Sequence, residues 1–485
     1  MTLLLVCAAL AYIVTVYFLT NPLGHTRKFM WRRFVNWFPL GMTYSFLYMG
    51  RYNLSVAAVA LGTLMDKKTF GLVTGSGLTT YAVGLLFVGP LVDRLGGKRG
   101  MLIGAIGSSI FNFAMAIAVY MKLNGTLDVS MGAALAVLYS LNMLCQSFGA
   151  VSTIKVKSYW FHVRERGTFG AIFGTLISLG VYFAFDWGRA IAGAVQLEQP
   201  KEPTFARTVL NQLFLLDGRT VPALWLIFLI PAIIMVIWAF VDAIMLKDTP
   251  DQAGFPPLNT HDASHDEPQD RRQTYLGTIW KILSNPIILM IGVIELTSGV
   301  LRDGILNWYL LFAKETPLGV KTITDNWGMW GAVTGIAGGF AAGWVSDRFF
   351  QSRRAPAAGM MQVVMFATTG VMILSLFLLP MDAKAEGASA FNAWFIAWRP
   401  VILGVCAVGT MMAVIGVHSI MSGTATADFG GKKAAATATG IADAFAYVGS
   451  AIQSFVIGYA SSKSWSYWPM VLLPFAVLGL VYCLK

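Results

Sequence analysis

Residues 89–99 read Gly-Pro-Leu-Val-Asp-Arg-Leu-Gly-Gly-Lys-Arg and follow a long apolar stretch. A shorter copy, Gly-Trp-Val-Ser-Asp-Arg, occupies residues 343–348 and also follows an apolar stretch. Arginines within apolar stretches, Arg51 and Arg302, repeat at nearly the same spacing. Features that recur at one spacing indicate repeated structural units. The sequence therefore predicts two related halves, which run in parallel about an axis along the membrane normal.

The composition places both halves in a membrane. Of the 485 residues, 56% are hydrophobic and 12% are charged, whereas soluble proteins carry about 25% charged residues. The apolar residues form runs of roughly 20, the length of a helix that crosses a bilayer, and they do not alternate as barrel strands do. The net charge of +11 lies in short clusters between these runs, which is typical of membrane loops and argues against nucleic-acid binding. We predict an all-α polytopic membrane protein.

Windows of about 19 residues predict one leading span followed by twelve more. The spans cover residues 3–20, 36–62, 70–92, 101–121, 131–154, 168–187, 221–246, 284–312, 326–346, 357–380, 397–422, 434–460 and 467–484. A polar segment divides the twelve spans six and six. The predicted parts are an extra transmembrane helix in residues 1–24, an N-terminal six-helix bundle in 25–246, a cytoplasmic linker in 247–283 and a C-terminal six-helix bundle in 284–485.

Basic clusters set the predicted orientation. They fall on one side of the predicted spans, and that side is cytoplasmic by the positive-inside rule. The clusters are Arg27/Lys28/Arg32/Arg33, Arg94/Lys98/Arg99, Lys155/Lys157/Arg164/Arg166, Arg348/Arg353/Arg354 and Lys432/Lys433. This places the N-terminus outside and the C-terminus in the cytoplasm. His261 and His265 in the linker are interpreted as solvated residues and not as a metal pair.

Arg51 and Arg302 are the first candidates for a binding site. An arginine in a membrane span costs about 2.5–3.5 kcal/mol and indicates function. In parallel repeats the helices that carry them face each other across a central cavity. Two guanidinium groups there can bind a tetrahedral dianion, because each group matches phosphate oxygens with paired donors. The alternative is that each arginine forms a structural ion pair, with Asp303 or Glu295 as the partner of Arg302.

The loop of residues 89–99 resembles the signature loop of the major facilitator superfamily, and other segments resemble its organophosphate:phosphate antiporter family. The segments that carry this resemblance are Arg51–Asn53, Trp160–Phe161, Arg164–Gly167, Lys247–Pro250 with Gly254, Pro256 and Pro257, Leu301–Trp308, Gly416–His418 and Lys432–Ala435 with Thr437. The resemblance implies a major facilitator fold in a bacterial inner membrane. It also implies that the chain, as a monomer, exchanges a glycerol-3-phosphate or sugar-phosphate ester for inorganic phosphate by alternating access, with phosphate bound by Arg51 and Arg302.

Two departures from the family bear on the substrate. Leu85 and Ile177 stand where relatives have a lysine and a histidine, and Glu295 and Asp443 add acidity to the predicted seventh and eleventh helices of the repeat. The site is therefore less positive than in the relatives. Three interpretations remain open: a substrate with a cationic group, a proton carried by Glu295 or Asp443, or neutralisation of a nearby base by Glu295.

The remaining candidate residues fall into three sets. Further substrate contacts are Tyr48, Tyr81, Trp308 and His418. Charge balance or coupling is assigned to Glu295, Asp303 and Asp443. A conformational latch is assigned to Gly89, Asp93, Arg94, Asp347 and Arg348, because glycines allow helices to approach closely and the aspartates can accept hydrogen bonds from a facing helix.

Several classes of function are excluded or kept as alternatives. The sequence has no G-x-x-x-x-G-K-[ST] loop, no nucleophile–base set and no metal-ligand set, so we predict neither an enzyme nor a cofactor. One alternative is a proton-coupled transporter of a zwitterionic or lipid-like anion. Another is a transporter-derived receptor for phosphate esters, docked through the extra helix and the basic, amphipathic stretch 25–37, for which an interfacial anchor is the preferred interpretation.

Overall fold

The computed structural model is helical. It describes residues 2–162, 165–197, 204–216, 218–260, 277, 280, 284–351, 354–383, 387, 389–421 and 426–484. Several expectations lie outside the described residues, namely those for His261, His265, Arg164, Arg353 and the side chains of Arg166, Lys432 and Lys433.

Nine helices precede the linker in the part of the chain that the structure describes. They are α1 (Thr2–Leu19), α2 (Arg27–Leu61), α3 (Lys67–Leu95), α4 (Gly97–Leu123), α5 (Met131–Trp160), α6 (Arg166–Tyr182), α7 (Gly188–Ala194), α8 (Phe205–Phe214) and α9 (Leu226–Met245). A π-helical turn, Phe183–Trp187, directly joins α6 to α7. Short 3₁₀ turns occupy Gly62–Leu64 and Asp251–Ala253.

Eight helices follow between residues 286 and 484, counted over the described segments. They are α10 (Pro286–Leu306), α11 (Tyr309–Glu315), α12 (Lys321–Thr324), α13 (Trp327–Phe350), α14 (Arg354–Phe377), α15 (Ala390–Ile420), α16 (Thr426–Lys463) and α17 (Tyr467–Leu484). Seven of the described helices are long and apolar enough to cross a membrane, namely α3, α4, α5, α9, α14, α15 and α16. Shorter apolar stretches occupy α1 and α17.

The predicted span 284–312 is wrong as a single helix, since α10 ends at Leu306 and α11 begins at Tyr309. The last carbonyl groups of a helix have no partner within it. Indole groups bind two of them here: Trp327 Nε1 donates to the Leu306 carbonyl at 3.0 Å and Trp468 Nε1 to the Gly304 carbonyl at 2.7 Å. Long-range donors therefore stabilise a break within an apolar run.

The stretch 25–37 is not a separate interfacial helix, because it forms the first turns of α2. Thr26 caps this helix by accepting a hydrogen bond from the Phe29 amide. Arg33 is buried and donates to both carboxylate oxygens of Glu165, at 2.9 and 3.0 Å. Arg33 Nε also donates to the hydroxyl of Tyr17 in α1 at 3.0 Å. Arg33 of this stretch is therefore held inside the fold by ionic and hydrogen-bond partners, and the interfacial anchor stays a prediction.

The close pairing of α3 with α16 joins the N-terminal and C-terminal groups of helices. The two helices run antiparallel: a Cβ at Gly71 would lie 2.8 Å from Gly458 Cα, and one at Gly89 would lie 3.0 Å from Thr437 Cα. Only glycine permits backbones to approach this closely. A second contact between the groups joins α6 to α13. Below, the predicted cytoplasmic end is the one at which α3 ends and α16 begins.

Candidate binding site between Arg51 and Arg302

Arg51 lies deep in α2, with 1% of its surface exposed. Its Nε donates to Gln146 Oε1 at 3.0 Å and its Nη1 to the Tyr447 hydroxyl at 2.5 Å. Its Nη2 is buried and has no hydrogen-bond partner among the described residues. Both partners are neutral. The Arg51 cation therefore lies in the protein interior without a described counter-charge on these partners and with one unused N–H donor group.

Arg302 lies in α10 and is also buried. Its Nε and Nη2 lie 3.4 Å from the two carboxylate oxygens of the adjacent Asp303, which is long for a charge-assisted hydrogen bond. Asp303 Oδ1 also accepts a hydrogen bond from the Tyr52 hydroxyl at 3.1 Å. The ion pair expected with Asp303 is therefore present but loose, and it leaves the guanidinium able to bind a stronger acceptor.

The ring of Tyr447 in α16 brings the two arginines together. Its centroid lies 5.4 Å from Arg51 Cζ and 5.1 Å from Arg302 Cζ, within the range of a cation–π interaction. Arg51 Cζ also lies 4.8 Å from the Tyr48 ring and 4.5 Å from the Tyr81 ring. Two of the predicted substrate contacts thus lie against Arg51, and both guanidinium groups lie near one aromatic ring.

An acidic group lies on the C-terminal side of this site. Glu295 in α10 is fully buried, and its Oε2 lies 2.7 Å from His418 Nδ1 of α15. Its Oε1 has no hydrogen-bond partner in the described structure. Asp443 is buried in α16 four residues before Tyr447, so the two share a helix face. The partner of Glu295 is therefore His418 and not Arg302.

Trp308 lies elsewhere. Its fully buried ring packs edge-on against Phe70 at 5.1 Å and against Trp465 at 6.5 Å. No described contact joins it to Arg51 or Arg302. The structure therefore places this predicted substrate contact in an aromatic cluster beside the break between α10 and α11.

The predicted latch residue Asp93 joins the two groups of helices at the predicted cytoplasmic end. Its Oδ1 forms an ion pair with Lys155 Nζ at 2.8 Å. Its Oδ2 accepts from the Thr437 amide at 3.0 Å and from the Thr437 hydroxyl at 2.7 Å. The other predicted latch residues, Arg94, Asp347 and Arg348, have exposed side chains at the ends of α3 and α13.

Ion pairs also join the groups at the opposite end. Lys67 Nζ of α3 lies 2.6 Å from Glu315 Oε2 of α11. The same oxygen accepts from Trp465 Nε1 at 3.0 Å, and Lys67 Nζ lies 5.0 Å from the Trp465 ring centroid. The predicted extracytoplasmic end of the α3–α16 pair is therefore closed by a cluster of three side chains.

A second closure at this end caps a helix across the two groups. Asp186, in the π-helical turn after α6, accepts hydrogen bonds from the amides of Gly328 and Met329 at 2.8 and 3.0 Å. These amides lie in the first turn of α13, where a carboxylate is favoured by unpaired N–H groups and the helix dipole. Arg189 and Asp325 form a nearby ion pair at 2.8 Å.

Sequence reasoning missed Tyr447, Gln146 and Tyr52. In apolar spans ionisable side chains are the signal of a site, and these three side chains are neutral. Gln146 and Asn142, one turn apart in α5, gave a signal of their own, since two amides on one face of an apolar helix need partners. Tyr447 gave a weaker signal through its position one turn after Asp443.

A family model with the description Major Facilitator Superfamily matches residues 40–454. The chain belongs to the Major Facilitator Superfamily. The predicted fold class is thereby confirmed, and the protein is a multi-pass membrane transporter and not an enzyme. Among solved structures, that of the Escherichia coli fucose:proton symporter covers 92% of this chain and 98% of its own, with a TM-score of 0.56 and 11% identity.

Several named proteins resemble this superfamily member over most of their length. The glycerol-3-phosphate transporter of Bacillus subtilis is 24% identical, with 90% of this chain and 88% of the relative covered. A membrane sensor protein of Salmonella typhimurium is 24% identical, with 88% of this chain and 84% of the relative covered. A probable hexose phosphate transport protein of Chlamydia trachomatis is 23% identical, with 96% of this chain and 92% of the relative covered.

Proposed function

We propose that this transporter exchanges a phosphate ester, of the glycerol-3-phosphate or sugar-phosphate class, for inorganic phosphate. The phosphate group binds between Arg51 and Arg302 and receives the spare Nη2 donor of Arg51. The names of two of the similar proteins include a phosphate ester. This agrees with the chemistry of paired guanidinium groups, which bind phosphate.

The observation that carries the proposal is the buried Nη2 of Arg51. A charged donor without a partner in low dielectric is costly, and a phosphate oxygen removes that cost. The Cζ atoms of both arginines lie within 5.4 Å of the Tyr447 ring centroid, and one tetrahedral anion bound beside this ring would contact both guanidinium groups. The loose pair of Arg302 with Asp303, at 3.4 Å, gives way to a bond with phosphate more readily than a short pair would.

The contacts at the two ends support alternating access as the mechanism. Asp93 with Thr437 closes the predicted cytoplasmic end, and Asp186 with the first turn of α13 closes the other. Opening one set at a time exposes the arginines to one side of the membrane. We also propose the division into an extra helix, two six-helix bundles and a linker, with the N-terminus outside, in the inner membrane and as a monomer.

The test is phosphate counterflow in proteoliposomes. Vesicles loaded with inorganic phosphate receive labelled phosphate outside, with glycerol-3-phosphate and hexose phosphates as competitors. Arg51→Ala and Arg302→Ala should each lower exchange at least about a hundredfold, because a hydrogen bond between charged groups contributes about 1.5–3 kcal/mol and each guanidinium makes more than one. Arg27→Ala is the matched control, since Arg27 is exposed at the start of the helix that carries Arg51.

Two results would contradict the proposal. Phosphate exchange that survives Arg302→Ala would remove the site assignment. Absence of exchange in the folded wild-type protein, with phosphate esters still bound, would favour a sensor, the function named for the Salmonella relative. The bond between Tyr17 of α1 and Arg33 of α2 gives such a sensor a route from the extra helix to the bundle.

A further inference from the structure

The charges around Arg51 and Arg302 do not sum to a positive site. Two buried guanidinium groups stand with three buried carboxyl groups, those of Asp303, Glu295 and Asp443. With the carboxyl groups ionised and His418 neutral, the set has one net negative charge. A phosphate dianion that enters such a cavity makes it more negative still, and low dielectric amplifies that cost. A positive charge must enter with the anion.

The Glu295–His418 pair has the geometry to take this charge as a proton. Glu295 has no exposed surface, and its Oε2 lies 2.7 Å from His418 Nδ1. The His418 side chain keeps 30% of its surface exposed. The partly exposed imidazole is thus the neighbour through which a proton would reach the sealed carboxylate. An ammonium group of a substrate would need direct access to Glu295, whereas a proton can pass through the ring.

We propose that the Glu295–His418 pair binds one proton together with each phosphate group. This inference rests on the proposed function, since it assumes that the arginines bind phosphate. In the empty state the imidazole proton is on Nδ1, and this N–H group donates a hydrogen bond to the Glu295 carboxylate. An incoming proton bonds to Nε2, the Nδ1–H bond breaks, and an O–H bond forms on Glu295. The imidazole ends neutral with its proton on Nε2, and the pair has gained one positive charge.

The neighbouring helices determine what the pair faces. On α10 itself Arg302 and Asp303 follow Glu295, and α16 contributes Asp443 and Tyr447. From α2 come Arg51, Tyr48 and Tyr52, which border the same arginine cluster. Another helix packed on α10, α17, contains no Asp, Glu, Lys, Arg or His. From α14, which packs on the helix of His418, Arg354 donates to the Ile420 carbonyl at 3.5 Å. Asp443 is thus the acidic residue that a neighbouring helix contributes on this side of the site. Its negative charge favours a proton on the Glu295–His418 pair.

Proton uptake on phosphate binding is the measurement that tests the proposal. Calorimetric titration of the purified full chain with inorganic phosphate at pH 8, in buffers of different ionisation enthalpy, gives the number of protons bound per phosphate. We expect about one for the wild type and none for Glu295→Gln, whose amide mimics the protonated acid. Asp128→Asn, an exposed acid outside the site, is the matched control and should behave as the wild type.

Exchange kinetics provide the second readout. Wild-type counterflow should fall about tenfold per pH unit once the pair is deprotonated, the slope expected for one required proton. In Glu295→Gln the rate of exchange should no longer show this slope. If Glu295→Gln does not fold, His418→Gln is the substitute: its amide still donates to Glu295 but cannot relay a proton, so the pH slope should again be lost.

Distinct outcomes separate the failure of this inference from that of the proposed function. Phosphate binding that survives Arg51→Ala and Arg302→Ala would remove the proposed function itself. Arginine-dependent binding without proton uptake, or with uptake unchanged in Glu295→Gln, would overturn only the proton site. Preferential binding of phosphoethanolamine without proton uptake, lost in Glu295→Gln, would also overturn it and assign the acidic group to a substrate ammonium.

Discussion

Two arginines on the same helix have opposite surroundings. Arg33 and Arg51 stand 18 residues apart on α2, which is about five turns at 3.6 residues per turn, so they share one face. Arg33 is saturated by Glu165 and Tyr17. Arg51 has only neutral partners and keeps one donor unused. The first arginine joins parts of the fold, and the second is the one that we propose binds an anion.

The first prediction concerns Glu165. Burial raises the pKa of its carboxyl group, but hydrogen bonds and charge from His25 and Arg33 outweigh burial and lower the pKa to about 2. Its contribution to stability is therefore complete above its ordinary pKa and is lost as the pH falls toward 2. Glu165→Gln leaves Arg33 buried without a counter-charge, so the free energy of unfolding should fall by about 3–5 kcal/mol at pH 7.5.

Thermal unfolding in detergent, followed by tryptophan fluorescence, measures this difference. The gap in melting temperature between wild type and Glu165→Gln should be constant from pH 8 to pH 5 and should shrink below pH 4.5. Glu315→Gln, which removes a carboxylate that is 37% exposed, should cost less than about 1 kcal/mol. Equal melting temperatures for wild type and Glu165→Gln at pH 7.5 would show that the Arg33 pair does not stabilise the fold.

The charged residues of the candidate site could be predicted from the sequence, and its neutral residues could not. Arg51 and Arg302 were predictable because charged residues in apolar spans are rare and costly. Tyr447 was not, since it is one of 16 tyrosines and its position between two arginines depends on how α16 packs on α10. The partner of Glu295 was missed for a similar reason: His418 reaches it from another helix.

At the scale of helices, glycine spacing determines where the two groups of helices touch. A Cβ at Gly89 would lie 2.8 Å from the Ala436 carbonyl oxygen, whereas one at its repeat counterpart Gly343 would meet nothing within 4 Å. The two copies of the motif therefore have different packing roles. Only the first copy lies in a close contact between α3 and α16.

The second prediction uses this difference. Gly89→Ala should hold α3 and α16 apart at the predicted cytoplasmic end, because the atom it meets is backbone and cannot rotate away. Overpacking costs about 1–3 kcal/mol, so phosphate exchange should fall about tenfold or more. Gly343→Ala, the same change at the repeat counterpart, should keep the wild-type rate.

Spin-label distances show whether the helices have separated. The native cysteines are first replaced by serine, and labels are placed through Arg99→Cys with Arg348→Cys at one end and Asp128→Cys with Lys321→Cys at the other, all at exposed positions. Gly89→Ala should lengthen the first distance and leave the second unchanged. An unchanged first distance would show that α3 and α16 accommodate the methyl group.

The helix pattern was predictable from apolar runs, and its interruptions were not. The span 284–312 reads as one helix because its residues are predominantly apolar, but Trp327 and Trp468 bind carbonyl groups at the end of α10. Those indoles come from α13 and α17, so no local window includes them. The continuation of α2 through Pro39 is the opposite case, a local breaker overridden by burial on neighbouring helices.

At the scale of the whole molecule, contacts close the arginine site from both ends. Asp93 and Thr437 join the groups at one end, and Lys67 and Glu315 join them at the other. Arg51 is 1% exposed between these closures. A molecule closed at both ends must break one set of contacts before the site can be reached.

The third prediction follows from the empty closed state. Reorientation without a ligand carries the unpartnered Nη2 of Arg51 through low dielectric, and a bound anion removes that cost. Labelled phosphate should therefore leave loaded vesicles at least about tenfold more slowly into phosphate-free buffer than into buffer with phosphate. The comparison is made at equal pH on both sides. Equal rates would show that the empty protein reorients freely and would argue against exchange.

The cluster at the predicted extracytoplasmic end also makes Trp465 an optical reporter. Its indole N–H is bound to Glu315 and its ring lies 5.0 Å from the ammonium group of Lys67. Lys67 belongs to the N-terminal group of helices, whereas Glu315 and Trp465 belong to the C-terminal group. The ammonium group of Lys67 therefore leaves the Trp465 ring when that end opens, and the emission of Trp465 should change in wavelength and intensity with each opening. The difference spectrum between wild type and Trp465→Phe isolates it from the other fourteen of the 15 tryptophans. Trp465 is therefore an intrinsic fluorophore at this end, and stopped-flow fluorescence can measure the rate of opening without an added label.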